Sequence, residues 1–375
     1  KNLRKKSQEL KVVSFANLVS QWHGKNYKYV QLFGGLIILI FLSTYAAAQL
    51  NAGSKSMHVI FGLDYRLGAI IGGVIVLLYC FSGGIRASIW TDAAQSLVMI
   101  VAMFLMVFFG IKEVGGVSIF IDELHKISPD YMKWFPSTNF SEFLLAPYMF
   151  IIGWFFSGVG VIGQPHVMVR FMTIDSTKNI PKTRIYYYTW YTLFYLFSIL
   201  AAFVARLLIP ETNNIDPELA LPTLAQNLLP EFFVGVVLAG IFAATMSTAD
   251  SQILACTASI TNDLSLNKNN NYLINKLATL IITVFVVTIA INDNKNVFNL
   301  VLMSWSTLAC CFSPLLIVNS LKQKVSEFLS LMMMIIPLIT LIVWRHYELN
   351  TYIYEVAPGI MSGILTFFVF KLLRK

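Results

Sequence analysis

Charge is what this sequence has least of. Of its 375 residues, 27 are Lys or Arg and 19 are Asp or Glu, so 12% are charged, against about a quarter in an ordinary soluble protein. That shortfall excludes a chain that keeps most of its surface in water, and the 57% hydrophobic content and mean hydropathy of +0.69 place it in a bilayer instead. Pro- and Ser-rich linkers are lacking too. Apolar stretches follow one another along the whole length and read as a single membrane domain, residues 1–375. Cysteines are few, and Cys80, Cys256, Cys310 and Cys311 sit in apolar runs without ligand spacing, which excludes a disulfide framework and a zinc site. No HExxH, GxSxG or P-loop spacing occurs, and no nucleophile and base converge in sequence, so nothing points to an enzyme. The net charge of +8 is spread over many loops rather than gathered on one face, and no nucleic-acid partner is implied.

What is present is a series of runs long enough to cross the hydrocarbon core, which takes about 17–25 apolar residues each. They lie near Val30–Leu50, Leu67–Phe81, Ala93–Ile111, Leu145–Ile162, Tyr187–Leu208, Phe233–Ile260, Leu277–Ile291, Leu300–Leu321, Leu329–Trp344 and Val356–Leu372, about ten in all. All should be helices, because a backbone in lipid must satisfy its own hydrogen bonds. Lys and Arg fall on alternate loops: Lys1, Arg4, Lys5, Lys6 and Lys11; Arg86; Arg170, Lys178, Lys182 and Arg184; Lys268 and Lys276; Lys322 and Lys324; Lys371, Arg374 and Lys375. The positive-inside rule puts these loops and the C-terminus in the cytoplasm. Glu211, Asp216, Glu218 and Glu231, with the amphipathic stretch around Asp122, Glu123 and Lys126, then fall outside.

Polar groups inside a span are expensive and mark function. The densest set lies in Phe233–Ile260, where Ala244, Ser247, Thr248, Ser251 and Ala255 share one stripe at three- and four-residue spacing and Asp250 lies beside Ser247 and Ser251. Small residues at this spacing also serve simple helix packing. Asp250 tips the reading toward a ligand, since a carboxylate there costs about 2.5–3.5 kcal/mol and needs compensation. Carboxylates, hydroxyls and helix carbonyls are what a hard cation such as sodium takes. A second acid, Asp92, opens the span Ala93–Ile111, where it could also face water at a helix N-terminus; Arg86 or Arg170 could pair with either acid. Gly158, Gly160 and Gly163 fit GxGxxG, but they follow the apolar run Met149–Phe156 inside a span rather than a strand. They read instead as a Gly-rich, Pro-terminated helix able to unwind where it lines a cavity.

Four stretches together resemble the sodium/solute symporter family: Ala243–Leu254, Gly163–Met172, Ser82–Gly84 through Trp90–Asp92, and Tyr354–Gly359. The nearest branch is that of the sodium/proline symporters, and the match runs through nearly the whole chain in order. The resemblance implies an all-α polytopic membrane protein of the leucine-transporter type, a five-helix inverted repeat that works by alternating access. Members have about thirteen spans, so it also implies an N-terminal truncation by three helices, the broken first core helix among them, and a chain lacking these is expected not to transport. By the same resemblance the Ala244 carbonyl and the Ser247 and Thr248 hydroxyls are sodium ligands, and Asp92, Asp250 and Ser251 surround a second site. Asp250 stands where the family often has serine.

For the solute, the resemblance assigns Tyr45, and with it the Gly-rich helix around Trp154, Ser157, Val161 and Pro165. Proline symporters carry a tryptophan and a tyrosine where this chain has Ser157 and Val161. Trp305 and Pro314 match a gating helix. The implied activity is sodium-driven import of a small organic solute, proline first. Another small amino acid, an osmolyte or an organic acid is the alternative, as is a transporter-like sensor module of a signalling protein. The resemblance also implies sodium as coupling ion, a monomer, and the bacterial plasma (inner) membrane.

Overall fold

The computed structural model describes residues 1–135, 145–209, 216–264, 271–292 and 296–373. Of the loop residues named above, Glu211, Lys268, Arg374 and Lys375 lie outside the described residues. Every regular element among the described residues is helical. Short helices α1 (Asn2–Leu10) and α2 (Phe15–Ser20) lead into α3 (Lys28–Phe61), α4 (Tyr65–Val114) and the surface helix α5 (Val117–Ile127). Then come α6 (Ala146–Val159), a 3-10 turn (Gly160–Gly163), α7 (Pro165–Thr173) and α8 (Ile180–Leu208). The chain continues through the short α9 (Ala220–Leu228), α10 (Glu231–Ala258), α11 (Tyr272–Asn292), α12 (Val297–Ser320), α13 (Glu327–His346) and α14 (Val356–Leu373). Local chemistry sets many of the ends. Ser14, Asp64, Asn296 and Ser326 cap the first amides of α2, α4, α12 and α13 with their side-chain oxygens, and Gly62 closes α3 in the left-handed region at φ 67°.

Nine helices among the described residues are long and apolar enough to cross a membrane. One of them, α4, is 50 residues long; at about 1.5 Å per residue that far exceeds a hydrocarbon core of about 30 Å. Its backbone breaks at Gly84, with φ 54° and ψ −143°, a conformation for which glycine is suited because it has no Cβ. On either side of the break, Cys80 Sγ lies 3.7 Å from the Asp250 carbonyl and Ser88 Oγ donates to Asp250 Oδ1 at 3.1 Å, so both arms meet α10 at one level. The far ends of the two arms pack on the C-terminal parts of α3 and α8, where Gly68 lies against Ser54 and Gly110 against Val204. The helix therefore folds back at Gly84 and makes two crossings, which restores the expected ten.

Loops with basic residues gather at one end of the bundle. There Arg4 Nη1 and Ser7 Oγ donate to the Met172 carbonyl at 2.6 and 3.0 Å, Tyr27 hydroxyl donates to the Val325 carbonyl, and Lys371 reaches Gln323. Ser14 donates to the buried Asp263 in a π-helical turn that ends α10, tying α2 to it. At the opposite, acidic end Lys55 Nζ bonds Asp216 at 2.6 Å and Glu218 at 2.5 Å, and Glu218 also accepts the Phe298 N–H at the start of α12. Between these belts the core is apolar: Leu42, Leu50, Met246, Ile253, Leu308 and Phe312 are buried where α3, α10 and α12 meet. Large apolar side chains such as Trp90, Leu97, Phe104 and Phe155 are left outward, as a lipid solvent allows.

Candidate functional site

The α10 stripe forms as the spacing required. Ser247 Oγ and Thr248 Oγ1 both donate to the Ala244 carbonyl, at 3.3 and 3.1 Å, so three oxygens crowd together one turn apart. One turn on, Ser251 Oγ donates to the carbonyls of Ser247 and Thr248 at 3.0 and 2.9 Å. Each hydroxyl spends its single proton on the backbone and keeps oxygen lone pairs for another partner. These are hard oxygen donors of the kind a group-1 or group-2 cation takes.

The two acids meet beside this stripe. Asp250 is 1% exposed; its Oδ1 accepts from Ser88, and its Oδ2 is buried with no hydrogen-bond partner among the described residues. Asp92 lies about two turns beyond the break in α4, so it is not a helix-terminus residue. Its Oδ2 pairs with Arg170 Nη2, while its Oδ1 is likewise buried and unpartnered. Of the two arginines that the sequence left open, Arg170 is the one on Asp92. Arg170 also returns Nη1 to the carbonyl of His166 on its own helix at 3.0 Å. Two carboxylates share one guanidinium, and each acid keeps an oxygen with no hydrogen-bond partner among the described residues. A cavity of about 810 Å³ runs from Lys11 and Lys276 at the basic end up to Ser88, His166, Arg170 and Ser251.

The glycine-rich helix is broken, as its composition suggested. Pro165 has no N–H and biases Gln164 toward an extended backbone, seen at φ −90° and ψ 108°, so helix α6 ends in the 3-10 turn and α7 starts afresh with Pro165 in its first turn. Gly163 is required by proximity: a Cβ there would lie 2.6 Å from Ser313 Oγ and 2.9 Å from the Leu308 carbonyl. Gln164 Nε2 donates to the Trp305 carbonyl at 3.0 Å, and its buried Oε1, like the buried His166 Nδ1, has no hydrogen-bond partner among the described residues. Tyr45 meets His166 edge to face, with ring centroids 5.9 Å apart.

The structure thus brings Tyr45 next to the break through His166, with Pro165 buried beside it. Trp305 reaches the same helix, its indole N–H donating to the Ser157 carbonyl at 3.3 Å, and the Val161 carbonyl holds the Gln164 N–H at 3.1 Å. Pro314 is buried in α12 next to Ser313, which faces the 3-10 turn. Trp154 belongs elsewhere: it stacks on Tyr354 with centroids 5.2 Å apart, and Tyr354 meets Ser306 at the Arg345–Glu355 ion pair. Three polar residues of the site went unread in the sequence. Ser88 had a signal, since it stands one helical turn before Asp92; Gln164 and His166 lie inside the Gly163–Met172 stretch with no spacing signal of their own.

A model of the Sodium:solute symporter family matches residues 2–337. The chain belongs to the sodium:solute symporter family. Among family relatives, the "High-affinity proline transporter PutP" of Bacillus subtilis is 28% identical over 361 residues, a match covering 94% of this chain and 75% of that protein. A "Sodium/proline symporter" of Salmonella typhimurium is 29% identical over 359 residues, covering 92% and 70%, and one of Staphylococcus aureus is 30% identical over 366 residues, also covering 92% and 70%. Among solved structures, the substrate-bound outward-open state of a Na+-coupled sialic acid symporter superposes with a TM-score of 0.75 at 19% identity, over 96% of this chain and 77% of that one. The fold is therefore that of the leucine-transporter type, as the resemblance implied. These relatives are transporters and not enzymes, and the family's coupling ion is sodium.

Proposed function

We propose that this chain is one membrane domain of a symporter in which sodium, moving down its gradient, carries a small zwitterion inward, proline first. The observation that carries the reading is the buried, unpartnered Oδ2 of Asp250 in a group where two carboxylates share a single guanidinium. A carboxylate in a span costs about 2.5–3.5 kcal/mol, and a cation on the free oxygens offsets that cost. Ala244, Ser247 and Thr248 give α10's share of one sodium site, and Asp92, Asp250 and Ser251 the oxygens of a second cation site. Each positive charge carried inward contributes about 2.3 kcal/mol per 100 mV of membrane potential.

The solute is placed at the break between α6 and α7. Tyr45, Pro165 and the unpartnered polar atoms of Gln164 and His166 surround it, and Ser157 and Val161 line the approach where proline symporters carry aromatic rings. Trp305 and Pro314 act as the gate on α12, and Trp305 is joined to the broken helix by its hydrogen bonds with Gln164 and Ser157. Trp154 contributes through the Tyr354 stack rather than beside Tyr45. The relatives named above handle proline, which makes it the first solute to try. The chain then works as a monomer in a bacterial plasma membrane, with the basic end and the C-terminus in the cytoplasm, an orientation that its loop charges support.

The test is initial-rate uptake of labelled proline into liposomes holding the full-length gene product, with an imposed sodium gradient against an equal potassium gradient. Sodium-dependent accumulation competed by proline and not by unrelated amino acids supports the reading. Uptake equal in both gradients for every solute of a zwitterion, osmolyte and organic-acid panel contradicts it.

A further inference from the structure

The cation group has one member that is itself a cation and sits on a separate short helix. Arg170 is carried by α7, nine residues between the break at Gln164 and the loop after Thr173. Its guanidinium is held at two points, Asp92 Oδ2 on α4 and the His166 carbonyl on its own helix. Of the hydrogen bonds and ion pairs among the described residues, the Arg170–Asp92 pair is the one that joins α7 to α4. The other polar ties of α7 run elsewhere, from Gln164 to the Trp305 carbonyl on α12 and from the Met172 carbonyl to Arg4 and Ser7 on α1. A nine-residue helix bounded by a non-helical Gln164 can tilt as a unit, and it lies along the cavity that leads to the basic end, lined by His166, Val169, Arg170 and Thr173.

We infer that Arg170 is a positioning residue that competes with the transported cation for Asp92, so that cation release and the docking of α7 on α4 are one event. This rests on the reading that Asp92 and Asp250 hold a cation. The physical reason is that a cation on the free Asp92 Oδ1 and a guanidinium on Oδ2 share one carboxylate and repel each other at close range, in a pair that is only partly exposed. Each weakens the other's hold, and by linkage the weakening is equal in both directions. With the cation seated, Arg170 loosens and α7 separates from α4. When α7 docks, Arg170 re-engages Asp92 and drives the cation toward the cavity. The structure shows the docked arrangement, with Arg170 on Asp92 and the cavity reaching Ser88 and Ser251. Asp250 keeps its unpartnered Oδ2 when Arg170 is docked. The group therefore still attracts a cation, held less tightly than it would be without the arginine.

The experiment is equilibrium binding of radioactive sodium to the full-length gene product in detergent, beside sodium-driven uptake, for the parent, R170Q, R170K and D250N. The proposal expects R170Q to bind sodium about tenfold more tightly, inside the range usual for coupled sites, while its uptake slows because release no longer has its competitor. R170K keeps the charge and should stay near the parent in both. An arginine that only braced the fold would give R170Q weaker binding or none. If D250N weakens sodium binding and R170Q leaves it unchanged or weaker, the role of Arg170 is overturned and the cation site stands. If D250N too leaves binding unchanged, the site reading itself fails. Hydrogen exchange on the unmodified protein decides the matter even where R170Q does not fold. Sodium, against potassium, should speed exchange of the α7 amides beyond its first turn, and protection or no change overturns the proposal.

Discussion

Replacing Asp250 by asparagine removes one charge and almost no volume, and its effect follows from the atoms around it. The Asn Oδ1 can still accept from Ser88, so the contact with α4 survives. What goes is the negative charge at the unpartnered Oδ2. A unit charge about 4 Å from a cation is worth about 4 kcal/mol at an effective dielectric constant near 20; this is a ceiling, because an amide oxygen remains as a neutral ligand. A net loss of about 1.4–2.8 kcal/mol corresponds to about 10- to 100-fold in affinity. Sodium titration of initial uptake rates should therefore show D250N half-saturating at 10- to 100-fold higher sodium. In sodium-free buffer the variant should be at least as heat-stable as the parent, since it no longer buries a carboxylate with an empty oxygen. If Asp250 were instead one half of a structural ion pair, its removal would cost about 3–5 kcal/mol of stability. Unchanged sodium half-saturation together with a large fall in melting temperature would refute the reasoning.

Other consequences are equally open to measurement. Gly163→Ala sets a methyl 2.6 Å from Ser313 Oγ and 2.9 Å from the Leu308 carbonyl; overpacking of this kind costs about 1–3 kcal/mol and should lower the melting temperature while disturbing the seat of α6 on α12. Glu355→Gln leaves the Arg345 guanidinium without its buried partner and removes the charge that accepts from Ser306 at 2.7 Å; a loss of about 3 kcal/mol in thermal or denaturant unfolding is expected. At the acidic end the Lys55 ammonium holds the Asp216 carboxyl below the usual carboxylate range. A depressed value means stability that is present above the unfolded pKa, about 3.9, and is lost as pH falls through the lower folded value. Asp216 is more than a third exposed, so Asp216→Asn should cost under about 1 kcal/mol near neutral pH, and the difference in melting temperature should vanish in acid.

Much of this fold could be read from the chain because lipid asks a one-dimensional question. A run such as Val30–Leu50 or Leu300–Leu321 is either long and apolar enough to span or it is not, and Lys and Arg sort the loops by side. The break before Pro165 was legible for a related reason. The Gly160–Gln164–Pro165 stretch alters the backbone through its own chemistry, whatever surrounds it, whereas at Gly84 only the gap between two apolar runs showed. The hydroxyl stripe on α10 was legible because a helix fixes which residues share a face. Contacts between distant residues were a different matter. Whether Asp92 paired with Arg86, with Arg170 or with water depended on where α7 settles, and Arg170 lies 78 residues away. Ser88 stands one helical turn before Asp92, which marks it as facing the same way, but its partner Asp250 lies 162 residues on and only the fold-back at Gly84 brings the two together. Trp154 stood at a plausible spacing for the solute pocket, yet Tyr354, brought over by α14, offers its ring a flat partner.

In the proposed transporter the oxygens around Thr248 hold a sodium ion. Equilibrium binding of radioactive sodium to the Thr248→Ala protein, folded by the criterion of an unchanged melting temperature in sodium-free buffer, tests it most directly. Binding should be lost or weakened by at least about tenfold; binding indistinguishable from the parent's would mean that Thr248 holds no sodium.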